Sequence, residues 1–444
     1  MNILMMTNTY KPILGGLEKS VESFAHEFRK LGHRVVIVAP EYQETQPEKD
    51  VIRIPAVQNF NGSDFSLQLP IPGALIDALG NFRPDIVHSH HPFLIGDTAL
   101  RVASKFNVPL VFTHHTLYEE NVHYVPGDQD ALKRFVIQLS TGYANLADMV
   151  FAPSESVLHL MRDRGVWTPI EIVPTGIYVE NFEPDAGKSF RARHGIPMDA
   201  FVVGHLGRLA PEKNLEFLTR AVVEFLKKHT RAHFLVGGKG PSEDAIAQIL
   251  NDTGMSGRLH MAGIVKGEEL ISAYHAMDVF VFASQSETQG LVLTEAMAAG
   301  IPVIGVDAPG VREVIHDGIN GCLLAHEDIE DFVHALEWIQ RQPPAKLRAI
   351  KCQCHETAVT FSMKNSVRKA IENYVSLAIN GFIRRSGEDS AWACTGRLIH
   401  TQWELIKNLT KATGAMVLGG ADKDKAKDNW RGIHLPVSVY DHRP

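Results

Sequence analysis

Two stretches of this chain gather residue types suited to a phosphorylated sugar. In GRLAPEKN, Gly207 to Asn214, Arg208 and Lys213 stand between an apolar run, FVVGHL, and an amphipathic run, LEFLTRAVVEFL. Two cations just ahead of a helix start, whose free amides also favour anions, suit a diphosphate. Alone, the pair reads equally well as two surface cations beside a helix. The second stretch, SETQGLVLTEAMAAG, weighs against that: Glu287 lies in a loop after the run DVFVFAS, and Glu295 follows after seven intervening residues, in the next helix. Gly290, Ala296, Ala298, Ala299 and Gly300 are small enough to let that helix pack close to its sheet and bring its N-terminus to a ligand. Ionised carboxylates only accept hydrogen bonds, so one can hold a transferred sugar and the other a ribose.

The elements needed to position these residues are legible along the chain. With 444 residues, it exceeds what one hydrophobic core organises. Short β-rich runs alternate with helical stretches, the pattern of parallel α/β sheets. NILMMT, RVVIVA, DIVHSH, PLVFT and DMVFA serve the first half, with a helix from about Leu17 to Leu31. FVVGHL, HFLVGG, RLHMAG, DVFVFAS and IPVIGV serve the second, each followed by a helix starting near Asn214, Pro241, Lys266, Gly290 and Gly310. The turn-rich IVPTGIYVENFEP separates them. The expected division is residues 1–175, residues 176–361, a helix over 362–384 crossing back to the first domain, and a tail, 385–444, with one helix candidate near Trp403 to Leu409.

Composition excludes several classes. A net charge of −7 speaks against a nucleic-acid partner. Four late cysteines form neither a disulfide framework nor a metal-finger spacing, which fits a reducing compartment. The start lacks a basic, apolar leader, and about 18 apolar residues never run together, so a cytoplasmic protein is expected, at most peripheral on a membrane. No metal site is expected. His88, His90 and His91 lack a fixed carboxylate partner, Asp128 to Asp130 reads as a helix cap, Asp422 to Asp424 lies in a solvated charge run, and Cys352 and Cys354 are too close for a zinc knuckle.

The order strand, GRLxxEKN, the GGKGP loop at Gly237 to Pro241, then the Glu-x7-Glu helix resembles family 4 glycosyltransferases, and about 345 residues fit the likeness. PILGGLEKSV, with Gly15 and Gly16 after the first strand, and the link IVPTGI agree. The resemblance implies a GT-B fold, two Rossmann-like domains facing a cleft, and a retaining transferase using a nucleoside-diphosphate sugar without a cofactor. It implies that Arg208 and Lys213 bind the diphosphate, Glu287 the sugar and Glu295 the ribose, with Gly15 and Gly16 approaching the phosphates from the other domain. Gly238, Val265, Thr288, Gln289, Gly290 and Leu291 complete the expected donor site. The loop reads TQG where a GFG-type turn is commoner; ETQG and THHTLYEENVHY resemble glycolipid glucosyltransferases that act on diacylglycerol. His115 matches the family's active-site histidine, with His114 beside it as the alternative. UDP is the family's commonest carrier and glucose the implied sugar. A soluble or polysaccharide acceptor, a nucleotide-sugar epimerase or hydrolase, and a silent partner subunit are the competing readings. A stripe of Leu132, Phe135, Val136, Leu139 and Tyr143, beside Lys133 and Arg134, fits either a domain core or a lipid surface.

Overall fold

The computed structural model describes the whole chain except residues 14, 43–44, 58–66, 69–71, 125–126, 184–185, 285–286, 386–390 and 419–444. Its first half builds β1 Asn2–Met6, β2 Arg34–Pro40 and β3 Val51–Ile54, a small antiparallel pair β4 Ala56–Val57 and β5 Leu67–Gln68, then β6 Ile86–Ser89, β7 Leu110–Thr113, β8 Met149–Ala152 and β9 Ile170–Ile172. Helices α1 Gly16–Lys30, α2 Pro72–Leu79, α3 Ile95–Phe106, α4 Gln129–Ala144 and α5 Glu155–Asp163 alternate with them. The large sheet is parallel throughout, in the order β3-β2-β1-β6-β7-β8-β9.

The second half repeats the plan with β10 Phe201–Leu206, β11 Ala232–Gly237, β12 Leu259–Gly263, β13 Val279–Phe282, β14 Val303–Val306 and β15 Gly321–Leu324. Between and after them run α6 Gly187–Arg193, α7 Leu215–Lys228, α8 Glu243–Asp252, α9 Glu268–His275, α10 Leu291–Ala298 and α11 Ile329–Gln340. The order β12-β11-β10-β13-β14-β15 reverses direction between β10 and β13, as the first sheet does between β1 and β6. In parallel α/β sheets such reversals open crevices at the C-terminal strand ends. Each sheet is apolar on both faces and carries a core cluster on either side, so helices must cover both. This is the GT-B architecture of two Rossmann-like sheets.

Three further helices follow: α12 Pro344–Thr360, α13 Met363–Arg385 and α14 Ala391–Leu418. α12 lies against the second half, with Ile350, Cys354 and Ala358 in its core. The chain then passes Gly176, where a Cβ would stand 2.3 Å from the Met363 Cα, and bonds Met363 N to the Ile177 carbonyl at 2.8 Å. From there α13 inserts Met363, Val367, Ala370 and Tyr374 into the core beneath β1, where the Tyr374 ring stacks on Phe151 at 5.9 Å. Met363 and Val367 each contribute about 1.5–3 kcal/mol on burial. α14 lies along α4 and α3.

All ten expected runs are strands. Five strands were not anticipated: the small antiparallel pair β4 and β5, and β3, β9 and β15, each a short strand at an edge of its parallel sheet. The helix expected from Gly310 is only a series of turns, while α12 and most of α14 were unforeseen.

Candidate active site

The two crevices face each other, and the second-sheet side is charged. Gly207 and Arg208 follow β10, and Arg208 pairs with Glu212 in the same loop, its side chain still 57% exposed. Lys213 ends a single 3-10 turn, Pro211–Lys213, and reaches across the β10/β13 reversal to Glu287. Two backbone features make room there. Gly238, after β11, has φ 133°, and a Cβ on it would lie 1.8 Å from the Gly207 carbonyl oxygen. Gly290, at φ 72°, caps α10, where a Cβ would meet the Gly310 carbonyl at 2.5 Å. No L side chain fits either place without displacing backbone. Val265 follows β12 and Leu291 opens α10, both packed on the core beneath this edge.

Glu295 is buried on α10. One carboxylate oxygen accepts a 2.8 Å bond from the Tyr274 hydroxyl and the other pairs with Lys19, which comes from α1 of the opposite domain. Burial, reinforced by Glu295, holds the Tyr274 phenol far above its ordinary pKa, so it stays a donor. α1 itself begins at Gly16 with no side-chain cap, as do α7 after Asn214 and α10 after Gly290. Their first amides therefore have no side-chain acceptor from the cap. Among the described residues no atom lies within 4 Å of a Cβ built on Gly16, so their packing does not require glycine there. A Cβ on Gly15 would meet only the Glu18 carboxylate, the end of a flexible side chain.

The first-sheet side is neutral. His88 lies in β6, His90 and His91 follow it, and His114 and His115 follow β7. His115 Nε2 and His90 Nδ1 share a 2.9 Å hydrogen bond with the rings stacked. Burial, then the neighbouring histidines, pushes both imidazoles well below their usual pKa, so both are uncharged at neutral pH. His90 Nε2 is buried without a partner among the described residues. An orphaned N–H is dearer than an orphaned lone pair, so the favoured tautomer has His90 Nδ1–H donating to His115 Nε2. His115 then carries its own proton on Nδ1. His114 differs: it is 2% exposed, neither ring nitrogen has a protein partner, and burial lowers its pKa to about 3.

The remaining histidines are held by protein. His88 bonds the Thr113 and Tyr374 hydroxyls, and His91 Nδ1 accepts from the Asn8 amide at 3.1 Å. Among the described residues no three His, Cys, Asp or Glu side chains gather as a metal would need. Asp128 caps α4, accepting from the Asp130 and Ala131 amides. Residues 422–424 lie outside the described residues.

Three contacts tie the two sides together. The Thr288 hydroxyl donates to the His115 carbonyl at 3.0 Å, and the Gln289 side chain both accepts from and donates to the Thr175 backbone at 2.6 Å. Thr175 in turn donates its hydroxyl to Ser20 at 2.9 Å. The expected donor residues Thr288 and Gln289 thus spend their side chains on the first domain. The crevice joins cations, carboxylates and a neutral imidazole in one cleft.

Residues 14–181 match Glycosyltransferase Family 4, and residues 188–352 match Glycosyl transferases group 1. The chain belongs to glycosyltransferase family 4. It is 29% identical to the alpha-monoglucosyldiacylglycerol synthase of Streptococcus pneumoniae, over 73% of this chain and 75% of that one. It is 26% identical to a GDP-mannose-dependent alpha-mannosyltransferase of Corynebacterium glutamicum, over 76% and 80%. The solved structure of Anabaena HepE in complex with UDP and glucose shares the fold, with a TM-score of 0.67 at 20% identity, covering 84% of this chain and 99% of that one. The protein is a retaining hexosyltransferase of the GT-B type, similar to glycolipid synthases. Sequence reasoning missed Lys19, Glu212, Tyr274, Thr175 and the role of His90 in this family 4 site. Lys19, Glu212 and Thr175 each stand inside a motif visible in the sequence, PILGGLEKSV, GRLAPEKN and IVPTGI.

Proposed function

We propose that this enzyme transfers glucose from UDP-glucose to diacylglycerol or a closely related membrane lipid, with retention of configuration. One observation carries the reading of the site: Lys213, Glu287 and His115 share one crevice, with Lys213 bonded to Glu287 and the neighbouring Thr288 bonded to the His115 carbonyl. In this reading Lys213, Arg208 and the uncapped amides of α1 and α7 stabilise the departing diphosphate. Gly15 and Gly16 let the phosphates approach the backbone. Glu287 holds sugar hydroxyls, Glu295 the ribose, and Gly238, Val265, Gly290 and Leu291 shape the surface around them. His115 donates Nδ1–H to a sugar hydroxyl. The acceptor hydroxyl attacks the anomeric carbon on the face the phosphate leaves, the carbon–phosphate oxygen bond breaks, and the hydroxyl proton passes to the departing phosphate oxygen.

The acceptor assignment rests on the likeness to a diacylglycerol glucosyltransferase, and the glycolipid-like segment after β7 supports it. The Corynebacterium relative favours a second donor, GDP-mannose. A screen of UDP- and GDP-sugars against diacylglycerol and a soluble polyol, with products read by mass spectrometry, separates these. Glucosyl-diacylglycerol from UDP-glucose supports the proposal; a mannosylated product or turnover of the polyol alone overturns it. Free sugar or an altered donor without transfer would return the hydrolase or epimerase reading. The diphosphate is met by cations and amides, so EDTA-treated enzyme keeps its activity. Loss on chelation with rescue by manganese would overturn metal independence.

A further inference from the structure

The apolar stripe of α4 is only partly covered: Tyr143 is fully buried and donates to the Gly96 carbonyl at 2.9 Å, Leu132, Phe135, Val136 and Leu139 are half-buried, and α14 lies along the helix. α14 is fixed there by buried Thr401, Leu405, Asn408 and Ala412 and by polar ties. Ser104 bonds Thr401, Asn408 donates to the Leu139 carbonyl at 3.0 Å, and Arg134 donates to the Ala415 carbonyl at 3.1 Å.

The opposite side of the same helix is apolar too. Trp392, Ile399, Trp403, Ile406, Leu409 and Val417 are all exposed, Trp392 by 85% and Val417 by 76%. At about 100° per residue they fall on one side of α14, across from the buried row. Six of the fifteen large exposed hydrophobics among the described residues lie on this one helix. A patch of that kind marks an interaction surface. Its surroundings say which kind. α3, α4 and α14 together carry seven Lys and Arg against three Asp and Glu, in a chain whose net charge is −7. Lys407 sits over the Trp403 ring at 5.7 Å, beside the stripe. Tryptophans with cations alongside suit the polar–apolar boundary of an anionic bilayer. No helix among the described residues is long and apolar enough to cross one.

We infer that α14 is a membrane-docking helix, its outward face lying in the surface of an anionic bilayer. α14 runs antiparallel to α4, because Arg134 near the α4 start meets Ala415 and Met416 near the α14 end. α4 follows the segment after His115, so the Val417 end of the stripe lies toward the acceptor side of the cleft. This orientation delivers a lipid acceptor from the bilayer to the site, and to that extent it rests on the proposed function; the docking itself does not.

The test sediments the full-length protein with phosphatidylglycerol vesicles and with phosphatidylcholine vesicles, at low and high salt, without donor. Binding to phosphatidylglycerol at low salt is expected, about tenfold weaker on phosphatidylcholine or at high salt, and about tenfold weaker in W392S/I399S/W403S. The variant should melt at the wild-type temperature, since its three side chains face solvent. Diacylglycerol turnover in detergent micelles should match the wild type. A wild-type chain that binds no vesicle, or a variant that binds as well as wild type, overturns the inference. So does a variant that only converts a dimer to a monomer, which assigns the face to a second copy of this chain. Vesicle binding without diacylglycerol turnover leaves the docking intact and removes the lipid-acceptor reading instead.

Discussion

The two sides of the cleft solve recognition in opposite ways. On the second-sheet side each of four charged groups is held by a counter-ion: Lys213 and Glu287 by each other, Arg208 by Glu212, Glu295 by Lys19. On the first-sheet side, five histidines are kept neutral by burial. Ion pairs can be exchanged when a charged ligand enters, because the incoming phosphate or hydroxyl replaces one partner. Buried imidazoles cannot take up charge cheaply, so they offer fixed, uncharged hydrogen bonds. On the proposed function, the difference means that one side stabilises changing charge and the other orients hydroxyls with uncharged groups.

The comparison breaks most visibly at Lys213. Lys213→Ala should lower turnover about a hundredfold, on the order of 3 kcal/mol of transition-state stabilisation, with an unchanged melting temperature. Near-native turnover in that variant and in Arg208→Ala would remove the charged side from the chemistry. On the neutral side, His115→Ala deletes one uncharged hydrogen bond and should cost about 1–2 kcal/mol, roughly five- to thirtyfold in kcat/KM. His114→Leu should leave kcat/KM within about twofold of wild type, since that ring makes no polar contact. The reverse ranking would exchange the two histidines.

Acid stability sharpens the same contrast. His88, His91 and His114 have pKa values lowered by burial to about 3 in the fold, against 6.5 when unfolded. Below pH 6.5 the unfolded chain binds protons the folded chain refuses, so stability falls as pH drops from 6.5 toward 3. Each histidine contributes about 1.4 kcal/mol per pH unit to that loss. His114→Leu should therefore reduce the slope of unfolding free energy against pH between about 6 and 4 by that amount. An unchanged slope in urea titrations would mean His114 is charged in the folded protein.

What the sequence made legible is what lies within one strand–loop–helix unit. Arg208, Lys213, Glu287 and Glu295 could be nominated because each sits a few residues past an apolar run, and the ten central strands stood out for the same reason. β3, β9 and β15 were missed because an edge strand of three or four residues gives too short a run for alternation to register. The helix expected at Gly310 fails for a tertiary reason: at φ 77° a Cβ there would stand 2.5 Å from the Gln289 amide, so the chain bends to let the Gln289 loop pass. α14 was seen only around Trp403 to Leu409 because its apolar residues occupy two opposed faces, which weakens the helical period. Tyr274, Thr175 and Lys19 meet their partners across 21, 114 and 276 residues of chain, and spacing cannot report such contacts.

A small effect concerns Lys19, where the charged pattern reaches across to the other domain. With Tyr274 on one oxygen of Glu295 and Lys19 on the other, a ribose bound by Glu295 must displace one of them. Lys19 is the one to yield: its side chain is 42% exposed, while the Tyr274 hydroxyl is buried. With its lysine that exposed, the pair is screened by solvent and is worth about 0.2–1 kcal/mol. Lys19→Met should therefore lower the donor KM about two- to threefold at unchanged kcat, by removing the competitor. Glu295→Ala should move the same constant the other way, by about tenfold, because ribose contacts act equally on ground and transition states. If Lys19→Met instead raised the donor KM, the ammonium would be binding the donor after it leaves Glu295, and the first domain would supply charge to the reaction after all.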